Sequence, residues 1–535
     1  MSQATKTSSP FFWGEQVRIK PLYNADDVKD MDPKEIANPV ELPFVRGPFS
    51  EGYAKRPWRT LQYAGYGIGE DTNARWKFLL SQGQRGLNLA FDLPTQIGYD
   101  SDDPRALGEV GRTGVAIDTL ADMEALYDGI NIGDISSSFT INATANIILA
   151  MYIALAEKQG VQGEKLAGTL QNDILKEYTS RGTYIYPPGP SVKMVGDIIE
   201  YCVRYLPRMN AVNVSPHMIG CGATQIQTWA LMFLTAAVYV EEAMKRGLSV
   251  DQIIPQMTFL TNVDMNFLAS IASHRAGRRL WAKMAKDRLG AKDPQNMKMR
   301  MGTGVYALAL VDRQPLNNIA RIAIMALSAA LAGTQSMHLA SYDEAYAIPS
   351  EEATRISLMI QHILIHETDL CSTADPMGGS YAMEALTNQM EEAISELMVE
   401  MERQGGILKL ISEGVIQRQL AKQAFQEQRA IEKGEKTIIG FNKYAIEEKR
   451  EKYESTLFQL DPEVGEKQIS RLNRIKSGRD REAVRRSLDD LRLAAKQEKN
   501  LMPYLVSAVK HYCSVGEISE VLRQVYGVYQ EKGIL

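Results

Sequence analysis

Residues 168–191 read GTLQNDILKEYTSRGTYIYPPGPS. Within them, Thr169, Leu170 and Gln171 read as the end of a strand, residues 174–178 as part of a short helix, and Arg181 falls in a turn rich in Tyr, Pro and Gly. An amide at a strand end and a lone guanidinium in a turn serve core packing poorly, so together they read as a ligand site carried on a loop. The alternative is that Gln171 and Asn172 cap the helix and Arg181 is a solvated surface charge. The segment alone supports both equally.

Such groups need elements that end on a common face. From residue 87 onward a β-prone run, a small or polar cluster and an amphipathic helix recur roughly every 40 residues. The runs lie at 87–91, 137–141, 167–171, 211–215, 257–261, 298–301, 335–338 and 371–374. Eight βα units of this length predict an α/β fold, a (β/α)8 TIM barrel whose strand C-termini form the functional face. The predicted strand ends carry Asp92, Asn142, Gln171, Ser215 with His217, Thr261 with Asn262, Arg300, Gln335 with His338, and Asp375. Barrel interiors are normally packed with Val, Ile and Leu, yet these strands read SSSFTINAT, AVNVS, TFLTN and MGTG. Inward hydroxyls without partners cost stability, so the pattern predicts an interior partly open and lined for a polar ligand, unless half of these residues point outward against helices.

The flanks differ from this core. Residues 1–55, with Pro10 to Trp13 and the Pro/Gly/aromatic run after Pro43, read as an extended N-terminal arm held on another surface. The barrel is assigned to 56–400, and 401–535 to a charged helical extension that meets another subunit. A composition of 45% apolar and 23% charged residues is ordinary for a globular protein, and the net charge of −5 gives no footprint for nucleic acid or anionic membrane. The four cysteines are far apart and lack metal-ligand spacing, which suits reduced thiols in a cytoplasm. There is no signal pattern, and no apolar run long enough to span a bilayer. Phosphate-loop, HExxH and GxSxG motifs are absent.

RGPFSEGYAKRPWRTLQY (46–63), AGYG, LAFDLPTQIGYDSDDP (89–104), VGRTGVAIDTLADM (110–123), the 168–191 stretch, SMHLASYDEA (336–345) and DPMGGSY (375–381) follow one another in order. In this series the chain resembles the catalytic chain of the coenzyme-B12-dependent acyl-CoA mutases, the methylmalonyl-CoA mutase family. That resemblance implies a barrel with coenzyme A threaded along its axis and a radical rearrangement dependent on adenosylcobalamin. The family's cobalamin motif DxHxxG is matched by none of the six histidines, which places cobalamin on a separate small subunit. It further implies an acyl-CoA substrate, a heterotetramer and a GTPase chaperone as a further partner.

By the same resemblance Tyr63 is the active-site tyrosine, Arg181 grips a substrate carboxylate through its planar fork, and His217 donates to the thioester carbonyl. Thr169 and Gln171 contact substrate. Phe49, Arg56, Arg59, Thr60, Gln62 and Arg208 hold the coenzyme A ester, while Glu344 and Gln96 face the cofactor, with Gln96 in place of a usual His.

The departures point to specificity. Members acting on uncharged branched or hydroxylated acyl groups replace the tyrosine or the arginine, whereas this chain keeps both, which favours a carboxylated acyl group. Ser215-Pro216-His217 stands for Ser-Gly-Tyr-His, and Arg300-Met301-Gly302-Thr303-Gly304 lacks a usual His and Gln. Leu61 and Gln256 replace two arginines that contact coenzyme A phosphates. These losses predict an opened pocket and a substrate bulkier than methylmalonyl-CoA, of a branched or aryl-substituted succinyl-CoA type. Methylmalonyl- or ethylmalonyl-CoA mutase activity proper, and a non-catalytic structural paralogue, are the alternatives. A barrel lyase or aldolase lacks a Schiff-base Lys or metal cluster at the strand ends.

Overall fold

The computed structural model describes residues 17, 19–61, 63–81, 86–346, 349–446, 461 and 463–531, and of Pro33 and Tyr63 only the backbone. Its strands are β1 (Arg59–Leu61), β2 (Tyr63–Ala64), β3 (Gly86–Ala90), β4 (Ser136–Thr140), β5 (Ala167–Leu170), β6 (Met209–Asn210), β7 (Val212–Val214), β8 (Met257–Val263), β9 (Met301–Val305) and β10 (Ser336–Leu339). All pair in parallel, in the orders β1-β10-β9-β8-β7 and β2-β3-β4-β5-β6. β1 and β2 flank the single residue Gln62, and β6 and β7 flank Ala211. Each of these segments pairs one way with its first half and the other way with its second, so the two sheets meet at both seams and eight strands form the TIM-barrel ring. Helices follow the strands, among them Ala145–Lys158, Pro188–Tyr205, Gln225–Met244, Phe267–Lys283 and Asn317–Leu331. Gln225–Met244 is apolar nearly all round because it is buried nearly all round.

Side-chain parity explains the polar strands. Ser137 faces the helices, where it accepts from Tyr152 Oη at 3.2 Å, and Phe139 packs on the same Tyr152. Phe259 packs on Trp281, and Thr261 Oγ1 lies 2.9 Å from His274 Nε2. The opposite parity therefore lines the bore: Ser136, Ser138, Thr140, Thr169, Asn213, Thr258 and Leu260, all of them half-buried rather than sealed. Asn210 Nδ2 donates to Thr169 Oγ1 at 2.8 Å and Asn213 Nδ2 to Thr258 Oγ1 at 2.7 Å, so these lining groups are mutually satisfied and still accessible. Both readings of the polar strands hold, one for each parity.

Three strand assignments are corrected. The first barrel strand is Arg59–Ala64, inside the predicted barrel but absent from the eight predicted runs. β9 begins at Met301, because Pro294–Met297 is a 3-10 turn and the Gly-containing run MGTGV gains its ladder from β8 and β10 on both sides. Arg300 and Gln335 consequently lie at strand starts, not ends. Residues 371–374 form no strand: Asp369–Cys371 is a 3-10 turn, and Asp375 joins Arg46 and the buried Arg275, tying the arm to the helix layer. Within the arm, Arg278 Nη2 donates to Val45 O at 2.8 Å and Tyr53 Oη to Thr334 O at 2.8 Å. Residues 1–16 of the proposed arm lie outside the described residues.

The C-terminal helices fold back on this same chain. Gln468 Nε2 bridges Asp118 Oδ2 at 2.8 Å and Asp122 Oδ1 at 2.9 Å, and Arg523 Nη2 donates to Ile97 O and Gly98 O at 2.9 Å. Among the described residues, no helix is long and apolar enough to cross a membrane.

Candidate active site

Where β5 ends, the backbone turns sharply. Asn172 takes φ 46°, and its Nδ2 donates to Ala211 O at 3.0 Å. Asp173 accepts the Ser215 N–H at 2.7 Å and the Tyr239 hydroxyl at 2.8 Å, locking the ends of β5 and β7 together. Burial pushes the Asp173 carboxyl up to about 6, against the pull of Lys176 and these donors. The following turn, Glu177–Arg181, is a π-helical widening, a feature that concentrates at functional sites.

The orientation of Gln171 follows from donor and acceptor chemistry. The Asp173 N–H can only donate, so the atom of Asn142 it meets at 2.9 Å must be Oδ1. The Asn142 amide nitrogen then donates to Glu177 Oε1 at 2.7 Å and to Gln171 Oε1 at 2.9 Å. With its oxygen engaged, Gln171 presents its NH2 as the donor. Glu177 also accepts from Lys176, Thr183 N and the Thr183 hydroxyl. Burial would raise Glu177, but Lys176 and Arg181 outweigh it and hold the carboxylate ionised; burial lowers Lys176.

His217 opens the 3-10 turn His217–Cys221, directly after β7. Its Nδ1 is buried and has no hydrogen-bond partner among the described residues. Burial, then the nearby Lys176 and Arg181 charges, hold this imidazole well below the ordinary histidine value, so it is neutral, with one N–H to donate. The Tyr306 ring lies 5.9 Å away at 38°. Arg181 is exposed at this mouth; its Nη2 donates to Gln96 Oε1 at 3.4 Å, and among the described residues it has no carboxylate within ion-pair distance. Gln96 is itself buried and fixed by Nε2–H donation to Phe91 O at 2.7 Å. Glu344 is half-buried after β10, accepts the Ser341 N–H at 2.9 Å and is raised by burial.

The expected residues thus fall at two ends of one bore. Gln96, Gln171, Arg181 and His217 gather at the strand C-termini, where the β2 backbone brings Tyr63 beside Asn88. Arg59 and Thr60 lie at the strand starts, paired with Ser336 and Met337. Arg300 is there too, donating to Asn210 Oδ1 at 2.7 Å, Pro255 O at 2.6 Å and Met257 O at 2.9 Å. Burial lowers both arginines, and the Arg59 charge lowers Arg300 further, which marks a cationic mouth. Arg208, just before β6, is exposed and donates to Lys165 O at 3.5 Å; Arg56 and Phe49 are exposed on the arm side. Thr169 lies between the two ends, on the bore wall. Gln62 lies outside the described residues. A strand of five residues spans about 17 Å, so the arrangement suits a long ligand with anionic groups at one end and a carboxylate or carbonyl at the other.

Two features escaped the sequence reading. One is Tyr306, which lies beyond the strand end assigned to β9. The other is the filling of the glycine space: a Cβ on Gly302 would stand 2.4 Å from Ser336 Oγ, and one on Gly304 2.9 Å from Tyr306 Cζ. These two glycines do not simply leave room, because neighbouring side chains use it.

Comparison with known proteins gives a concordant result. The family model described as methylmalonyl-CoA mutase matches residues 13–528. The chain is 43% identical over 515 residues to the 2-hydroxyisobutanoyl-CoA mutase large subunit of Aquincola tertiaricarbonis, covering 96% of this chain and 91% of that protein. It is 40% identical over 518 residues to the methylmalonyl-CoA mutase of Rhizobium meliloti, covering 96% and 72%, and 40% identical over 518 residues to the mitochondrial human methylmalonyl-CoA mutase, covering 96% and 68%.

Proposed function

We propose, since the chain belongs to the methylmalonyl-CoA mutase family of B12-dependent acyl-CoA isomerases, that it is the large catalytic subunit of a mutase for a carboxylated acyl-CoA bulkier than methylmalonyl-CoA. The observation that carries this reading is Arg181, exposed at the mouth without a carboxylate partner among the described residues, beside a neutral His217. The relative named for a 2-hydroxyisobutanoyl ester supports acyl groups beyond methylmalonyl in this family. Retention of Tyr63 and Arg181 favours a carboxylate on the acyl group here, so a branched or aryl-substituted succinyl-CoA type is the substrate class proposed.

In this reading Arg59, Arg300, Arg208 and Arg56 neutralise the phosphates of coenzyme A at the far mouth, with Phe49, Thr60 and Gln62 alongside, and Arg59 and Arg300 stand in for the arginines missing at Leu61 and Gln256. Thr169 lines the bore along which the ester threads. Arg181 takes the free carboxylate in a bidentate grip. The Gln171 NH2 and the His217 N–H hold the acyl oxygens, and a neutral imidazole does so without protonating them. Tyr63 is assigned the task of excluding water and competing hydrogen donors from the acyl group.

Glu344 and Gln96 fit a neutral, hydroxyl- and amide-bearing cofactor: both are polar groups at the mouth, and neither is locked in an ion pair among the described residues. Adenosylcobalamin, when bound, supplies the radical that initiates the rearrangement. A small cobalamin-binding subunit carries it, in a cytoplasmic heterotetramer served by a GTPase chaperone.

The test is reconstitution with that small subunit and adenosylcobalamin, followed by a screen of carboxylated acyl-CoA esters for isomer formation. Arg181→Gln is expected to lower kcat/KM for the accepted ester by about 100-fold or more, the scale of losing a charge-assisted pair. Turnover of methylmalonyl-CoA as good as that of every bulkier ester would sink the substrate class. No turnover of any ester would favour a non-catalytic role.

A further inference from the structure

Strand β9 (Met301–Val305) runs on into Tyr306, whose backbone is still extended (φ −91°, ψ 156°), so Gly302, Gly304 and Tyr306 share the bore-facing parity. Gly304 has no left-handed φ, so its need for glycine is spatial. A Cβ there would meet Tyr306 Cζ at 2.9 Å, Cε1 at 3.0 Å and Oη at 3.2 Å. The outer end of the phenol is therefore folded back over residue 304 instead of projecting from the strand end. The same ring stands 5.9 Å from His217, tilted by 38°. Leu308, in the turn Ala307–Ala309, approaches the turn that His217 opens: its Cδ1 would lie 3.4 Å from a Cβ built on Gly220. The two turns therefore lie side by side at this mouth.

We propose that Tyr306 is a specificity-determining wall of the acyl pocket, occupying the volume over Gly304 and presenting its ring beside His217 to an apolar, branched or aryl, substituent of the acyl group. This rests on the acyl-CoA reading of the site. A glutamine side chain at residue 304 and the Tyr306 ring cannot share that space, so the pocket exchanges an amide for an aromatic surface. An aromatic wall rewards apolar area and gives nothing in return for a displaced hydration shell. The exchange also returns an aromatic neighbour to His217, whose preceding residue here is Pro216.

The test is equilibrium binding of methylmalonyl-, ethylmalonyl-, branched succinyl- and phenyl-substituted succinyl-CoA to the full chain assembled with its small subunit. Wild type is compared with Tyr306→Ala, Tyr306→Phe and Gly304→Ala. Tyr306→Ala is expected to lower the preference for the apolar-substituted esters over methylmalonyl-CoA by about tenfold, the scale of one or two methylene contacts. Tyr306→Phe keeps the preference, and Gly304→Ala lowers it because the added methyl displaces the ring. Gly304→Ala and Tyr306→Phe read the proposal even if Tyr306→Ala does not fold. A preference unchanged within twofold, or shifted toward the bulkier esters, in Tyr306→Ala and Gly304→Ala overturns it. Wild type binding none of the esters overturns the acyl-CoA reading, and this proposal with it.

Discussion

Asn142 touches no proposed substrate group, yet it decides which face Gln171 shows. Its oxygen is claimed by the Asp173 N–H and its nitrogen by Glu177 and Gln171, so it acts as a positioning residue. Asn142→Asp keeps the shape and the acceptor for Asp173 N–H but removes the donor to Gln171. Gln171 then turns its own NH2 inward, away from the ligand. About a tenfold loss of kcat/KM is expected, the scale of one neutral hydrogen bond. Activity should recover as the pH falls and the new carboxyl gains a proton it can donate; beside Glu177 and out of water, that proton is taken up above the ordinary carboxylate range. A pH–rate profile parallel to wild type would show that Asn142 serves packing alone.

At the scale of elements, the loops between β3 and β4 are clamped by the C-terminal helices. Asp118 receives Gln468 Nε2 and the Ser101 N–H at 2.7 Å, and Asp100 receives the Ser514 hydroxyl at 2.7 Å and the Gly516 N–H at 2.6 Å. Burial first, then Asp122 and Asp100, raise Asp118 well above the usual carboxylate range. A raised carboxyl favours the fold below its unfolded value near 3.8, and that contribution is lost as the pH climbs through the raised value. The Gln468 amide limits this loss by solvating the ionised form. Gln468→Leu is therefore expected to cost about 1–3 kcal/mol, the scale of a buried unsatisfied group, and to cost more at pH 8 than at pH 5. Thermal unfolding at the two pH values measures it; an equal loss at both would mean that Asp118 is not the group concerned. Since Gln96 sits in the Leu93–Ile97 turn that Arg523 braces from the next residues, this clamp also bears on the mouth of the site.

Over the whole molecule the bore separates two tasks. On the proposed reading, the cationic end would bind whatever is common to coenzyme A esters, and the Arg181–His217 end would distinguish their acyl groups. Arg59→Gln should weaken all esters alike, by about threefold to tenfold at low salt and less as salt rises, because an exposed charge is screened. Arg181→Gln should instead change the ranking among esters. Isothermal titrations with coenzyme A itself and with two acyl esters separate these outcomes: an Arg59→Gln effect confined to one ester contradicts the two-ended reading.

The local pattern was sufficient for much of this. Repeating strand–helix units announced the barrel, the Ser/Thr/Asn-rich strands announced a bore that is not sealed, and the 168–191 stretch left a ligand site and a capped helix evenly matched. These follow from periodicity and turn chemistry, which are properties of neighbouring residues. The first strand was missed because Arg59–Ala64 is short, and is a strand only through β10 and β3 on either side. Arg300 went to the wrong end because MGTGV has low strand propensity and takes its ladder from its neighbours. Asp375 looked like a strand-end acid and is instead a partner of Arg46 and Arg275, both distant in sequence. The sequence by itself determined the barrel and the polar bore, and by resemblance it named Arg181 as the proposed carboxylate clamp. Only the tertiary structure decided which way Gln171 points, why His217 is neutral, and that Tyr306 fills the space over Gly304, since each depends on atoms brought together from different strands.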